Sequence, residues 1–236
     1  MSTFLVDANG VLQPIGVLVA GDSRYELLPG VREYTEEIPG LDGEIDFGSE
    51  FKARVLELHC VLEILASQQP AKIREIASYL NPAAGVSTLT FADDPGKVYF
   101  VKCSGTIEVT RNASWIEFTI PFKMTNPFIM SATTTSLIGT GTAANGGNAE
   151  TPFLLTVAGP VTNPSVVVAN YTMAYTGTVE AGQTLTIDTE KLTVKIGETN
   201  ALGTYNRVFP TLQPGNNAVT AAAAGITTLT WYSRWI

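Results

Sequence analysis

A chain of 236 residues is long enough for one large domain or two small ones. Hydrophobic residues make up an ordinary 45%, whereas charged residues make up only 15%, and that balance excludes a disordered chain. The net charge of −8 argues against nucleic-acid binding, which needs Lys and Arg to displace counterions from phosphate.

Charge is unevenly spread. Residues 1–123 hold 17 acids and 10 Lys or Arg, and residues 124–236 hold 5 and 4. The second half is instead rich in Thr, Gly, Ala and Asn. That shift predicts a domain boundary near Thr125-Asn126-Pro127, where Asn-Pro breaks a strand pattern, giving domains of 1–125 and 126–236. Low charge on a fully apolar chain suggests surface covered by partners. The start, Met1-Ser2-Thr3-Phe4-Leu5-Val6-Asp7, lacks the basic and apolar regions of a signal peptide. No apolar run approaches the roughly 18 residues of a membrane helix, so the expectation is a soluble protein made in a reducing cytoplasm and not bound to membrane.

In chain order, the first distinctive stretch is 33–50, which holds seven acids, Glu33, Glu36, Glu37, Asp42, Glu44, Asp46 and Glu50, in a Pro/Gly-containing segment read as a loop. Residues 52–64 alternate. Leu56, Leu58, Cys60, Leu62 and Ile64 share one face, with Val55, Glu57, His59, Val61 and Glu63 on the other, which predicts a half-buried strand. A helix follows, with Ser67 as its cap, Pro70 in its first turn, and Ile73, Ile76, Ala77 and Leu80 forming one apolar stripe before Asn81-Pro82 stops it. Val86–Phe91 and Val98–Cys103 read as strands joined by a turn at Asp93-Asp94-Pro95-Gly96. Residues 115–124 form another alternating strand, with Ile116, Phe118, Ile120, Phe122 and Met124 on one face. The first half is therefore α+β, strands with one helix packed on them.

The second half reads as all-β. Residues 139–149 suggest a mobile Gly/Asn-rich loop. Leu185 and Ile187, a turn at 188–191, then Leu192, Val194 and Ile196 make a hairpin whose exposed face suits threonine. Pro214-Gly215-Asn216-Asn217 reads as a turn, and Ile226–Trp235 as a closing strand. Short strands between turn clusters predict a sandwich.

Candidate chemistry is thin. His59 and Cys60 are adjacent on a strand and face opposite ways, and structural zinc wants four nitrogen or sulfur ligands. Cys60 and Cys103 are expected as free, core-facing thiols. Catalysis by a nucleophile needs a base beside it, and His59 is the sole histidine, flanked on its face by Glu57 and Glu63. No phosphate-binding glycine motif or nucleophile elbow is present. A glycosidase pair among the acids of 33–50 is set against a solvated acidic face. Asp42, Glu44 and Asp46 miss the EF-hand spacing. Trp231, Tyr232 and Trp235 are either a sugar-stacking platform or core. The sequons at Asn112 and Asn170 are read as chance. No catalytic residue, metal or cofactor is expected.

The order of segments carries more. Tyr34 to Gly48, YTEEIPGLDGEIDFG, resembles a segment of phage distal tail proteins. It is followed by Arg54, Leu56, Glu57 and Leu58, by the helix KIREIASYLN, and by Leu89, Phe91, Asp93, Asp94 and Pro95. Then come Tyr99, Gly105, Phe118-Thr119-Ile120-Pro121-Phe122 and Asn126-Pro127-Phe128. Gly177–Leu185, Ile187-Asp188-Thr189, Phe209–Asn217 and Tyr232-Ser233-Arg234-Trp235 resemble the same family's C-terminal sandwich. The resemblance spans nearly the whole chain; residues 1–25 match poorly. It implies an N-terminal split barrel with one helix and a galectin-like β-sandwich projecting outward. It also implies a homo-hexameric ring hub at the tail tip of a long-tailed, siphovirus-like phage, assembled in the host cytoplasm. The ring would join the tail-tube protein to the tail-tip protein, hold receptor-binding proteins, and pass DNA without binding it. Glu36, Glu37, Asp42, Glu44 and Asp46 are then expected on the lumen or a ring face. Two alternatives stay open: a tail-tube-like ring protein, which would polymerise into long tubes, and a sugar-binding tail adhesin.

Overall fold

The computed structural model describes residues 3–21, 23–223 and 226–236. They form two compact units, 3–129 with Ile236 and 130–235, and the chain passes from one to the other at Ile129–Met130.

The first unit contains β1 (Thr3–Val6), β2 (Val11–Gln13), β3 (Val17–Val19), β4 (Arg24–Tyr25), β5 (Val31–Glu36), β6 (Ile45–Phe51), β7 (Arg54–Glu63), α1 (Gln69–Tyr79), β8 (Ser87–Phe91), β9 (Asp94–Cys103), β10 (Val109–Arg111) and β11 (Trp115–Met124). The two strongly alternating segments pair with each other. β7 and β11 run antiparallel from Trp115 opposite Glu63 to Met124 opposite Arg54. Leu56, Leu58, Cys60, Ile116, Phe118, Ile120, Phe122 and Met124 all turn inward and are buried. A period of two on both strands fixes this register, because a one-residue slip would expose every apolar side chain. The order β11-β7-β3-β2-β1-β8-β9 returns to β11 through Phe122 opposite Cys103 and Lys123 opposite Lys102, closing a barrel of seven strands. Closure removes the free edges that invite aggregation. β1 and β8 are its one parallel pair among these seven.

Two boundaries differ from the sequence reading. The helix cap is Gln68, not Ser67, and its side chain makes no capping bond. Instead Gln69, buried just inside the helix, donates from Nε2 to the carbonyls of Asn112 (2.6 Å) and Ile64 (3.2 Å) and accepts from Arg111 Nε (3.0 Å). Tertiary hydrogen bonds replace the local cap. The β8–β9 connection is the two residues Ala92-Asp93, since Phe91 already pairs with Asp94. Pro95 and Gly96 lie inside β9, beside a register shift, where a missing ladder N–H is tolerated.

After β12 (Ile129–Ser131), the second unit contains β13 (Thr135–Ile138), β14 (Gly141–Asn145), β15 (Phe153–Ala158), β16 (Val161–Thr162), β17 (Ser165–Val168), β18 (Tyr171–Ala174), β19 (Thr178–Val179), β20 (Thr184–Asp188), β21 (Thr193–Ile196), β22 (Thr199–Asn200), β23 (Gly215–Ala221), β24 (Thr227–Trp231) and β25 (Arg234–Trp235). A six-stranded sheet, β13-β24-β15-β20-β21-β22, faces a four-stranded one, β14-β23-β17-β18. Phe153, Leu155, Val157, Ile187, Leu229 and Trp231 from the first meet Val166, Val168, Met173 and Val219 from the second in one core.

The stretch expected to be a mobile loop, 139–149, holds strand β14, paired with β23 from Gly141 opposite Val219 to Asn145 opposite Gly215. Asn145 is buried. It donates to the carbonyls of Ala149 (2.9 Å) and Leu212 (3.2 Å) and accepts from the Gly147 amide (3.0 Å). Gly147 lies so close to the chain that a Cβ there would stand 1.9 Å from the Arg234 carbonyl oxygen. The composition that suggests flexibility is here the requirement for close backbone approach. Likewise Gly215-Asn216-Asn217 are strand, not turn, and Leu192 belongs to the turn, at φ 54°. The closing strand is interrupted, with Tyr232 and Ser233 between β24 and β25.

Candidate functional site

The acidic segment is only in part a loop. β5 and β6 form a separate two-stranded ribbon, connected through 37–44. Glu36 ends β5 and Asp46 lies on β6, while Glu37, Asp42 and Glu44 occupy the connection. Every residue from 32 to 52 is exposed. At its base Phe51 meets Phe128 edge-on, with ring centroids 6.1 Å apart.

The register puts Tyr34, Glu36, Ile45 and Glu50 on one face, and Glu33, Thr35, Asp46 and Ser49 on the other. Tyr34 donates to Glu50 Oε2 at 2.9 Å. Between Glu33/Ser49 and Thr35/Asp46 the register shifts, so Phe47 and Gly48 together oppose Tyr34. Gly48 takes φ 103°, and its amide donates to Asp46 Oδ1 at 2.7 Å. Only glycine enters that backbone region freely. Among the described residues, no ion pair reaches the seven carboxylates of 33–50.

The ribbon also presents apolar side chains that the sequence reading did not single out. Phe47 is 64% exposed and Leu41 54%, beside Ile38, Ile45 and Tyr34. Ile45, Phe47, Ser49 and Phe51 alternate, a strand signal overshadowed by the acids and glycines around it.

Elsewhere the barrel wall carries Lys102 and Lys123, directly opposite each other on β9 and β11 and both exposed. No acidic partner reaches either among the described residues. No sequence signal marks this pair, because the residues become neighbours only when the barrel closes.

The other candidates separate. Cys60 is buried and Cys103 half-buried; both are free, and burial raises both thiols, Cys60 to about 12. His59 lies on the outward face of β7, half-buried, opposite Thr119. Among the described residues no three His, Cys, Asp or Glu side chains are grouped to hold a metal, and no helix is long and apolar enough to cross a membrane. Trp231 is buried in the sandwich core, Tyr232 is exposed and Trp235 half-buried, so the three form no common platform. A sandwich pocket of about 320 Å³ beside Trp231 is crossed by an ion pair between Glu190 and Arg234. Under α1 an apolar pocket of about 400 Å³ is lined by Ile73, Ile76, Leu80, Ile107 and Phe118, and its one ionisable lining group is the Cys103 thiol, which burial keeps protonated. Arg54 is buried with Nε and one terminal nitrogen unpartnered, and desolvation lowers its pKa.

A closed barrel with one helix is followed by a β-sandwich, and each half matches the model of a phage tail domain. Residues 12–124 match the phage tail protein RIFT-related domain, and residues 146–235 match the siphovirus-type tail component, C-terminal domain. The fold is similar to that of SPP1 Dit (gp 19.1), described as a paradigm of the hub adsorption apparatus in Gram-positive infecting phages. That similarity has a TM-score of 0.77 at 14% identity, over 93% of this chain and 94% of that one. The phage P2 baseplate in its activated conformation with Ca also aligns, with a TM-score of 0.36 at 10% identity over 90% of each chain. No curated protein matches in sequence.

The chain belongs to the Dit-type distal tail proteins of siphoviruses. It is a structural component of the virion tail, and its family is not an enzyme family.

Proposed function

We propose that this protein is a hexameric ring hub at the tail tip, built by the first unit (1–125 in the sequence reading) with the sandwich (126–236) directed outward. The ring joins the tail tube to the tail-tip apparatus and leaves a channel for DNA. The observation that supports assembly is the β5–β6 ribbon. A two-stranded ribbon is marginally stable alone in water, yet this one holds Phe47 and Leu41 out in solvent. Closed rings bury one pair of complementary patches on every copy, which suits an element of this kind.

The carboxylates of Glu36, Glu37, Asp42, Glu44 and Asp46 line the lumen or a ring face. A wall of lysines would hold phosphate through counterion release, whereas carboxylates repel the duplex and keep it centred. The sandwich carries receptor-binding proteins, and the tube and tip proteins dock on the two ring faces.

Negative-stain microscopy of the purified chain tests the reading. Single or stacked pairs of rings with an open centre are expected. Long tubes would favour a tube protein, and a strict monomer even with the tip protein present would overturn the hub. The lumen assignment is checked by replacing Glu36, Glu37, Glu44 and Asp46 with Lys. Virions should assemble but eject DNA more slowly, with the defect easing as salt rises. Normal ejection counts against it.

A further inference from the structure

We propose that neighbouring subunits of the ring are joined by an apolar knob and socket: the ribbon tip Ile38-Pro39-Gly40-Leu41 of one copy fills the pocket under α1 of the next. This rests on the ring reading above and names a contact that closes the ring. One observation on each side leads to it, and both sides belong to the same chain.

The knob is shaped before it meets anything. The Leu41 amide donates to the Ile38 carbonyl at 3.0 Å, and Pro39 and Gly40 fill the two central positions, with Gly40 at φ 89°. That is a type II turn, in which proline presets its own φ and glycine takes the positive one. Turn tips in water favour Asn, Asp and Ser around such a pair. Here the flanking positions are branched aliphatics, with Ile38 44% and Leu41 54% exposed. A backbone already fixed by its turn loses little freedom on docking.

The socket is the pocket of about 400 Å³ between α1 and the barrel, walled by Ile73, Ile76 and Leu80 from the helix and by Cys103, Ile116 and Phe118 from the strands. A cavity of about 150 Å³ lined by Leu, Ile and Phe already takes up benzene, so this one has room for two aliphatic side chains. No charged side chain lines it, and the chain neighbours of its walls carry both signs, Arg74 and Lys102 against Glu75 and Glu108. The fit is therefore apolar and not one of charge. Glu36, Glu37, Glu44 and Asp46 take no part in it, so replacing them with Lys leaves the contact standing.

The ribbon of the same chain does not fill the socket, since every residue from 32 to 52 is exposed. The ribbon leads into β7 at Arg54, whereas Phe118 and Ile116 lie opposite Cys60 and Leu62, six and eight residues on, or roughly 20–26 Å of strand. A knob and a socket at separate places on one chain make a heterologous contact. Such contacts generate rings when the rotation closes.

The natural Cys103 in the socket wall supplies the test. Full-length Leu41→Cys protein is assembled and oxidised with copper phenanthroline, which takes two electrons and two protons from each pair of thiols. A non-reducing denaturing gel should show a ladder of linked chains up to the closed hexamer, and peptide mapping should find position 41 joined to Cys103. L41C with C103S should lose the ladder. L27C, at a leucine 96% exposed outside the ribbon, should give none. Rings without a ladder, a two-chain band alone, a bridge closed within one chain, or an equal ladder from L27C overturn the proposal and leave the hub reading intact. Leu41→Ser should raise the protein concentration for half-assembly by roughly tenfold, with no change in the melting temperature of the unassembled chain. An unchanged half-assembly concentration overturns the contact. Rings that form at no concentration from the natural sequence, even with the tip protein, remove the hub reading and this contact with it.

Discussion

Leu192 sits in the β20–β21 turn at φ 54° with its side chain 56% exposed. A leucine in the left-handed region costs roughly 1–2 kcal/mol relative to right-handed backbone, and its exposure returns little burial. Leu192→Gly should therefore raise stability by about 1 kcal/mol, seen as a higher denaturant midpoint with unchanged slope. An unchanged or lower midpoint would show that the turn is held by something other than its backbone. The sequence placed Leu192 in a strand because it lies two before Val194. The turn wins because Asp188 Oδ1 accepts from the amides of Glu190 and Lys191, both at 3.0 Å, which spends one more residue on reversing the chain. The thiols give a second residue-scale test. Burial holds Cys60 protonated up to about 12, against 9.0 for a free thiol. In the unfolded chain it loses its proton from pH 9 upward. Its contribution is thus complete below pH 9 and is lost as pH climbs toward 12, with a limiting slope of about 1.4 kcal/mol per unit. Stability against pH for the natural chain and Cys60→Ala should show a shallower alkaline loss in the variant. Equal slopes would place Cys60 in water.

Strands with both faces patterned were legible as elements. β7 and β11 emerged within two residues of their expected bounds because alternating burial and period two are the same fact. The ribbon, β14 and the start of β23 were not legible, since their residues are acids, glycines and asparagines that favour turns in isolation. In β14 and β23 tertiary hydrogen bonding overrides that preference, through Asn145 and through Asn217, whose side chain donates to the carbonyls of Gln213 (2.8 Å) and Ala143 (3.3 Å). The ribbon takes its shape from its own ladder and from the glycine at its bulge. Gly48→Ala should cost about 1 kcal/mol in the ribbon, because no side chain enters φ 103° without strain and nothing lies within 4 Å of the added methyl. Ring assembly should weaken severalfold while the melting temperature of the unassembled chain stays within about a degree. A large drop in that temperature would mean the ribbon supports the barrel core.

At the scale of the whole molecule there are two cores with no residue in common, one inside the barrel and one between the sandwich sheets. Calorimetry of the unassembled chain should resolve two transitions. Ile120→Ala, at a fully buried barrel position, should lower only the barrel transition, by about 2–5 kcal/mol. Leu229→Ala should do the same only to the sandwich. A single transition shifted alike by both substitutions would show the units unfolding as one.

Composition and alternation determined by themselves a mainly β chain with one helix, because each of those signals is local or additive along the chain, whereas the tail role was read from the resemblance of its ordered segments to the distal tail family. The acids of the ribbon were visible in the same way, as residues. Only the tertiary structure decided that they stand on a free ribbon with Phe47 and Leu41 in solvent. Only it placed Lys102 beside Lys123, 21 positions away in the chain, because cross-strand register is fixed by barrel closure and not by any neighbour in sequence.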